Sequence, residues 1–369
     1  MTLSSVAAVD VEGVRRRVDA LLAEHVAAQR PVLARMGADS AVLADAVAEM
    51  LSGGKRLRAA FCYWSWRAHG GRAESPAAAA VLRVGAALEL FQAAALFHDD
   101  VMDDSDTRRG HATAHRAFAA LHERSGWTGS SRRFGEAAAI LLGDLALVDS
   151  DAEFDHALAA FAPDVADVAR GVFDLMRTEV TVGQYLDVLA QSLPWGVRPG
   201  ADENRAREVI RAKSARYSVE HPLVLGAALA GADVAAREEC STFGLPLGEA
   251  FQLRDDLLGV FGDPAATGKP AGDDLREGKR TVLVARAMAA GDDAQRAILR
   301  SLLGERDLSD DDVALVAGTI QATGAPDAVE ALIAELSTRA FAALSAARLD
   351  EPGAAMLATL AHAAVDRRA

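Results

Sequence analysis

Apolar residues recur at helical intervals almost from end to end of this chain, and that spacing constrains its fold more than any other feature. Stretches such as 80–97 (AVLRVGAALELFQAAALF) and 167–190 (DVARGVFDLMRTEVTVGQYLDVLA) place apolar residues three and four apart. Strict alternation at period two, the mark of a half-buried strand, is hard to find. Ala, Leu, Glu and Arg, all strong helix formers, are plentiful. Several stretches are apolar nearly all round, as in helices buried inside a large bundle. The expected fold is all-α: a single domain over 1–369 with ten or more helices, in which residues 1–29 form a peripheral N-terminal helix. Gly53 and Gly54 separate two helical patterns, and polar, Gly- or Pro-rich stretches at 122–136, 192–204 and 261–279 read as loops. The last is the longest, and long loops in compact domains are usually functional.

Composition narrows the function classes. At 369 residues and 51% hydrophobic, the chain is too apolar to be disordered and long enough to bury a large core. Its 53 Asp and Glu outnumber 39 Lys and Arg, for a net charge of -14, which argues against nucleic acid as a partner. Cys62 and Cys240 are far apart and form neither a disulfide framework nor a zinc motif. No signal peptide is expected, because charge arrives by Asp10 without a long apolar run before it. No membrane span is expected either, since no run of about 18 apolar residues is uninterrupted. The expected location is cytoplasmic.

The carboxylates are not evenly spread. Segment 95–110 (ALFHDDVMDDSDTRRG) follows an apolar helix, and on a continuing helix Asp99 and Asp103, like Asp100 and Asp104, would lie one turn apart. Like charges so placed repel, and partial burial raises the cost. A cation between them relieves it. Hard oxygen ligands without Cys or clustered His point to Mg²⁺ or Mn²⁺; an acidic solvated helix end is the ordinary alternative. Arg108 and Arg109 follow at once, and carboxylate-bound Mg²⁺ beside arginine is how proteins hold diphosphate. Gln92, two turns before Asp99, is placed to donate to a phosphate oxygen.

FQLRDDLLGVFGD (251–263) repeats the pattern, with Gln252, Asp255 and Asp256 inside about one turn. Two acidic helices in one all-α chain are stronger evidence than either alone, since facing helices build metal sites from inward carboxylates. Lys269 and Lys279, in and after the following loop, can fold over an anion. Gly53-Gly54-Lys55-Arg56-Leu57-Arg58 has the form of an anion-binding turn entering a helix, and Lys213 and Ser214 stand just ahead of an apolar helical stretch.

Taken together, GGKRLR, DDVMD with RRG, Gly183-Gln184, FQLRDD and GDPAATGKPAGDDLREGKRT resemble the trans-isoprenyl diphosphate synthases, the polyprenyl synthetases, in order over roughly residues 30–350. The nearest likeness is to bacterial geranylgeranyl diphosphate synthases. The resemblance implies an all-α bundle around a deep central cavity, commonly a homodimer, and Mg²⁺, with three ions and Mn²⁺ as a substitute. It implies that Asp99, Asp100 and Asp103 bind Mg²⁺ on the allylic diphosphate beside Arg108, and that Asp255 and Asp256 hold a further ion. Lys55, Arg58 and Arg109 would grip isopentenyl diphosphate. Lys213, Ser214 and Gln252 would sit near the reacting carbon, Lys269 would touch the allylic diphosphate, and Lys279 would help close the site. The implied reaction joins isopentenyl diphosphate to a dimethylallyl, geranyl or farnesyl diphosphate. One position departs from the family pattern: Gly259 stands where many relatives carry a third aspartate, with Asp263 one turn further on as a possible replacement.

Product length should follow from what blocks the pocket behind the first cluster. Ala94 and Ala95 are too small to form a floor, whereas relatives that stop at fifteen carbons often carry an aromatic there. Phe91 lies one turn deeper, about 4.5 Å below Ala94, roughly one isoprene unit. It is the candidate floor for a twenty-carbon product, geranylgeranyl diphosphate. Two rivals share the acidic motifs. A terpene cyclase on a related α-fold would not need the isopentenyl site at Lys55, Arg58 and Arg109. A weakly active or regulatory subunit of a heteromeric synthase would be expected to lose an aspartate cluster. A di-iron bundle needs two Glu-x-x-His motifs, and only Glu153 with His156 has that spacing. A histidine–aspartate phosphohydrolase built on His98-Asp99 leaves RRG and the second aspartate pair unexplained.

Overall fold

The computed structural model describes residues 11–196, 200–262 and 272–366. Helical spacing becomes helix nearly throughout. Helices α1 (Val14–Met36), α2 (Ala41–Leu51), α3 (Leu57–Ala68) and α4 (Pro76–Met102) lead to a minimal hairpin, Thr107–Arg108 against His111–Ala112. Next come α5 (Ala114–Arg124), α6 (Ser131–Leu158), α7 (Pro163–Ser192) and α8 (Ala201–Val209). A π-helical segment, Ile210–Glu220, joins α8 without a break to α9 (His221–Leu229). The remaining described helices are α10 (Val234–Phe261), α11 (Asp273–Arg276), α12 (Val282–Ala290), α13 (Asp293–Leu302), α14 (Asp310–Ala322), α15 (Ala325–Ala346) and α16 (Gly353–Val365). Their starts carry the expected signals. Pro76 and Pro163 occupy first turns, and Ser130, Asp233 and Thr281 accept a first-turn N–H. Asp292 with Gln295, and Ser309 with Asp312, close reciprocal capping boxes.

Helix α4 is the central rod, packed on α6, α3 and α1. It buries Val81, Leu82, Val84, Leu88, Leu90 and Phe97 on more than one face, as its all-round apolar sequence requires. Gly85 permits the α3 contact, because a Cβ there would lie 2.9 Å from that of Ala59. By length and composition α4 could cross a bilayer, which the interrupted-run criterion did not anticipate. Yet 78% of its apolar window is buried inside the fold, and it ends in the aspartate cluster. It is a core helix here. Trp64, Tyr63 and Phe61 of α3 and the stacked Phe154–Phe173 pair between α6 and α7 fill the surrounding layer.

Three local expectations need correction. Helix α4 stops at Met102, so Asp103 is its C-cap and Asp104 adopts φ 53°; Asp100 and Asp104 are not helical neighbours. Asp104 turns away to Arg116, 3.1 Å from its carboxylate. The supposed loop at 122–136 is mostly helix, with only residues 125–130 between α5 and α6. Lys213 and Ser214 do not precede a helix but sit within the continuous rod from Ala201 to Leu229. The π-helical widening has a visible consequence. Cleft-lining residues recur every four positions, as Val209–Ile210, Lys213–Ser214 and Tyr217–Ser218. A four-residue repeat lies between the 3.6 residues per turn of an α-helix and the wider turn of an i→i+5 helix, so the stripe winds only slowly around the segment.

Candidate active site

Helix α4, helix α7, the π-helical segment and helix α10 enclose a cleft of about 580 Å³, closed at its ends by the 53–58 turn and by residues 274–281. Of the residues singled out in the sequence, Lys55, Arg58, Gln92, Ala95, Asp99, Arg108, Arg109, Lys213, Ser214, Gln252, Asp255, Asp256 and Lys279 all line it. Residues separated by more than two hundred positions thus share one space. Asp100 and Asp103 are buried and reach the cleft-lining Arg108 and Lys279. Ala94 and Phe91 are buried in the α4 wall, and Phe91 meets the cleft-lining Tyr217 ring edge-on at 5.4 Å between centroids. Lys269 and Asp263 lie outside the described residues.

The first cluster is held by cations from three directions. Lys213 Nζ is 3.0 Å from Asp99 Oδ1 and 2.6 Å from Asp187 Oδ2, and Gln184 donates to the same Asp99 oxygen at 2.9 Å. Arg108 Nη2 is 2.5 Å from Asp100 Oδ1 and 3.7 Å from Asp99 Oδ2. Lys279 Nζ is 3.1 Å from Asp103 Oδ2 and 2.6 Å from Glu277 Oε2. Burial alone would raise the Asp99 carboxyl, but Lys213, Lys279 and Arg108 outweigh it and hold it well below the usual carboxylate range. Burial likewise works against the Lys213 ammonium, and Asp99 with Asp187 more than restores it. At Asp103 burial prevails over Lys279, with Asp99 adding to it, and the carboxyl is pushed up to about 6.

The second cluster lies across the cleft on α10. Asp255 is exposed and Asp256 buried, the latter accepting from Gln252 Nε2 at 2.8 Å. Burial pushes the Asp256 carboxyl up to about 8, against the Gln252 hydrogen bond and with Asp274 and Asp255 adding like charge. Here the Gly259 departure has a structural counterpart. A Cβ at Gly259 would fall 2.1 Å from Asp274 Oδ2, so the missing side chain is the space that the Asp274 carboxylate occupies. Among the described residues, Asp274 brings a third carboxylate to this end of the cleft.

The opposite end is cationic. Arg56, at φ 53°, turns inward to Asp19, Glu89 and the Leu51 carbonyl, so it braces the turn while Lys55 stays exposed at the cleft. Arg58 donates to Ser218 Oγ at 2.8 Å and lies 4.1 Å over the Tyr217 ring. Arg109, also left-handed at φ 54°, donates to the carbonyls of Met50 and Ser52. The Arg108–Arg109 pair is therefore split: one side chain serves the aspartates, the other the glycine turn.

The donor set suits Mg²⁺. Every carboxylate at the cleft offers hard oxygen only, and a cation beside Asp256, whose carboxyl burial and the neighbouring Asp274 and Asp255 push up, would favour its ionised form. No three acidic, His or Cys side chains among the described residues are already gathered into a complete metal cage. Mg²⁺ usually takes one or two carboxylates and completes its shell with phosphate oxygen and water.

Sequence reasoning left several members unassigned. Asp187 lies one turn after Gly183 and Gln184 directly follows it; their contacts with Lys213 and Asp99 run between elements and leave no signal in local spacing. Tyr217 stands four residues after Lys213, a spacing that signalled a shared face. Glu277, which accepts from Ser105 at 2.6 Å, and Asp274 carried no signal beyond their acidic loop.

Comparison with known proteins agrees with this geometry. Residues 40–320 match the family described as Polyprenyl synthetase. A crystal structure of geranylgeranyl pyrophosphate synthase from Corynebacterium glutamicum, complexed with isoprenyl diphosphate and magnesium, superposes with a TM-score of 0.88 at 36% identity over 100% of both chains. A (2E,6E)-farnesyl diphosphate synthase of Mycobacterium tuberculosis is 31% identical over 319 residues, 86% of this chain and 80% of that one. A geranylfarnesyl diphosphate synthase of Aeropyrum pernix is 32% identical over 280 residues, 76% of this chain and 79% of its own. The chain belongs to the polyprenyl synthetase family of trans-prenyl diphosphate synthases.

Proposed function

We propose that this chain condenses isopentenyl diphosphate with an allylic diphosphate in a Mg²⁺-dependent reaction, with geranylgeranyl diphosphate as its product. The observation that carries the reading is the convergence on one cleft of two carboxylate clusters, the first reaching it through Asp99 and the second through Asp255 and Asp256, and a separate cationic set, Lys55, Arg58 and Arg109. A cyclase binds one diphosphate and has no use for the second set.

The chain's own groups account for the remaining steps. Arg108, Lys213 and Lys279, now paired with the aspartates, are placed to hold the allylic diphosphate, with Lys269 expected beside them. Lys55, Arg58 and Arg109 hold the isopentenyl diphosphate at the other end. Bound Mg²⁺, three ions with Mn²⁺ as a substitute, supplies charge stabilisation for the departing diphosphate. The allylic C–O bond breaks and its electron pair leaves with the diphosphate. The isopentenyl double bond attacks the allylic carbon, and the adjacent proton passes to the released diphosphate. Ser214 and Gln252 border the reacting region, and the apolar walls at Ala95, Leu96 and Val180 exclude water from the cation.

Length control by Phe91 is supported by its place in the wall against Tyr217, below the open Ala95. A homodimer is supported by an exposed apolar face on α6 and α7: Leu141 is 61% exposed, Val148 67%, Leu175 52% and Val182 49%. A cytoplasmic location accords with these substrates. The test is incubation with Mg²⁺, isopentenyl diphosphate and each of dimethylallyl, geranyl and farnesyl diphosphate, followed by product sizing. Expected is a twenty-carbon diphosphate, lengthened by Phe91→Ala. A cyclic hydrocarbon without condensation would install the cyclase instead, and turnover only on adding a second synthase chain would make this a regulatory subunit.

A further inference from the structure

The geometry points to Gly183 and Gly248 as positioning residues for catalysis: together they seat the π-helical segment so that Lys213 and Ser214 reach the reacting end of the cleft. This inference rests on the reading above and adds residues that touch no substrate. Helices α7 and α10 grip the segment from two sides, and each does so through a glycine. A Cβ at Gly183 would fall 2.5 Å from the Lys213 amide nitrogen and 2.7 Å from the Ala212 carbonyl carbon. A Cβ at Gly248 would fall 2.4 Å from the Ala215 carbonyl oxygen. Gly244, one turn earlier on α10, leaves 3.0 Å to the Glu220 Cα. These neighbours are backbone atoms, so no side-chain rotation relieves the clash.

Each glycine begins a row of working residues. On α7, Gly183 is followed by Gln184 and, one turn on, by Asp187, the groups that hold Asp99 and Lys213. On α10, steps of four from Gly244 pass through Gly248 and Gln252 to Asp256, whose side chains are hydrogen-bonded to each other. The two aspartate clusters are therefore registered against one another through the backbone of residues 212–215. Carbon atoms in contact settle at about 3.5–4.0 Å, so an added methyl must push that backbone away by about 1 Å. A shift of that size costs a catalytic site up to about 100-fold in rate. Neither glycine is needed for a positive φ; both are needed for closeness.

The experiment uses the full chain with Mg²⁺ and both diphosphate substrates, comparing the parent with Gly183→Ala, Gly248→Ala, Lys213→Ala, the Gly183→Ala/Lys213→Ala pair and Gly318→Ala. Gly318, on α14, has open space at its Cβ position and serves as the control. Expected are melting temperatures close to the parent's and a kcat about 10- to 100-fold lower for the two clamp variants, with a smaller rise in KM for the allylic diphosphate that Lys213 holds and KM for isopentenyl diphosphate changed less than about threefold. The control keeps parental kinetics. Because the clamp acts through Lys213, adding Gly183→Ala to Lys213→Ala should cost little more, a non-additivity that general damage to the fold would not produce. Parental kcat in folded Gly183→Ala and Gly248→Ala, or full multiplication of the two losses in the double variant, overturns the inference. If Gly183→Ala does not fold, Gly248→Ala and its Lys213→Ala pair carry the same test. Unfolding of both makes the clamp a folding element and overturns it as well. An inactive parent would be seen before any variant is compared, and that result refutes the proposed activity itself.

Discussion

At the scale of single residues, the site is a set of charges that neutralise one another until substrate arrives. Asp99 and Asp100 are engaged by Lys213, Gln184 and Arg108, and each cation that now pairs with a carboxylate is one that a diphosphate can claim. Removing one carboxylate's charge should therefore damage metal and diphosphate binding together. Asp100→Asn and Asp255→Asn are each expected to lower kcat by at least about 100-fold, as for removal of a preorganised electrostatic group. Full activity in both, measured by product formation at saturating Mg²⁺, would remove the aspartates from the proposed chemistry. The type and spacing of these residues were legible in the sequence, because DDxxD on a helix and a second DD pair have few other uses together. Asp274 was not legible. Its approach to the second cluster depends on Gly259 lacking a side chain, a vacancy that can be read only once the two segments are folded together.

At the scale of elements, apolar spacing identified the helices, and caps marked many of their starts, whereas helix ends were less certain. Helix α4 ends at Met102 because the chain turns through a left-handed Asp104 into a short hairpin, and no Gly or Pro announces that turn. The attachment of α1 was hidden for another reason. His25 lies between two carboxylates of α6, with Nδ1 2.8 Å from Glu153 and Nε2 3.2 Å from Asp149, while Gln29 also donates to Asp149 and Arg83 to Glu153. Burial alone would lower its imidazolium, but Asp149 and Glu153 outweigh burial and raise it from 6.5 to about 9. A group whose folded pKa is raised stabilises fully below its unfolded value and loses that contribution as pH climbs through the folded one. The His25 contribution, at most about 3 kcal/mol, is thus complete below about pH 6.5 and gone above about pH 9. Urea unfolding of the parent and His25→Gln should differ most near pH 6 and converge near pH 10; a gap that widens with pH would reverse the sign.

At the scale of the whole molecule, the exposed apolar residues on α6 and α7 depart from the rule that such residues are buried. Leu141 and Val148, and Leu175 and Val182, are each seven apart along their helices, so each pair lies on one face, where the proposed second copy would dock. Leu175→Asp with Val182→Asp should convert a dimer to a monomer in sedimentation at micromolar concentration, with little loss of helix content. A parent that sediments as a monomer at that concentration would refute the dimer.

By itself the sequence determined that the chain is helical, and it singled out two acidic helices and a glycine–lysine–arginine turn as the candidates for binding a metal and diphosphate. These follow from periodicity and from charges whose crowding needs a counterion, both local properties. The tertiary structure decided which charges meet. It placed Lys213 rather than solvent against Asp99, moved Asp274 into the space left by Gly259, and joined the two clusters through a π-helical segment pressed between glycines. Such pairings depend on how closely three helices approach, and that distance is set by packing across the whole bundle.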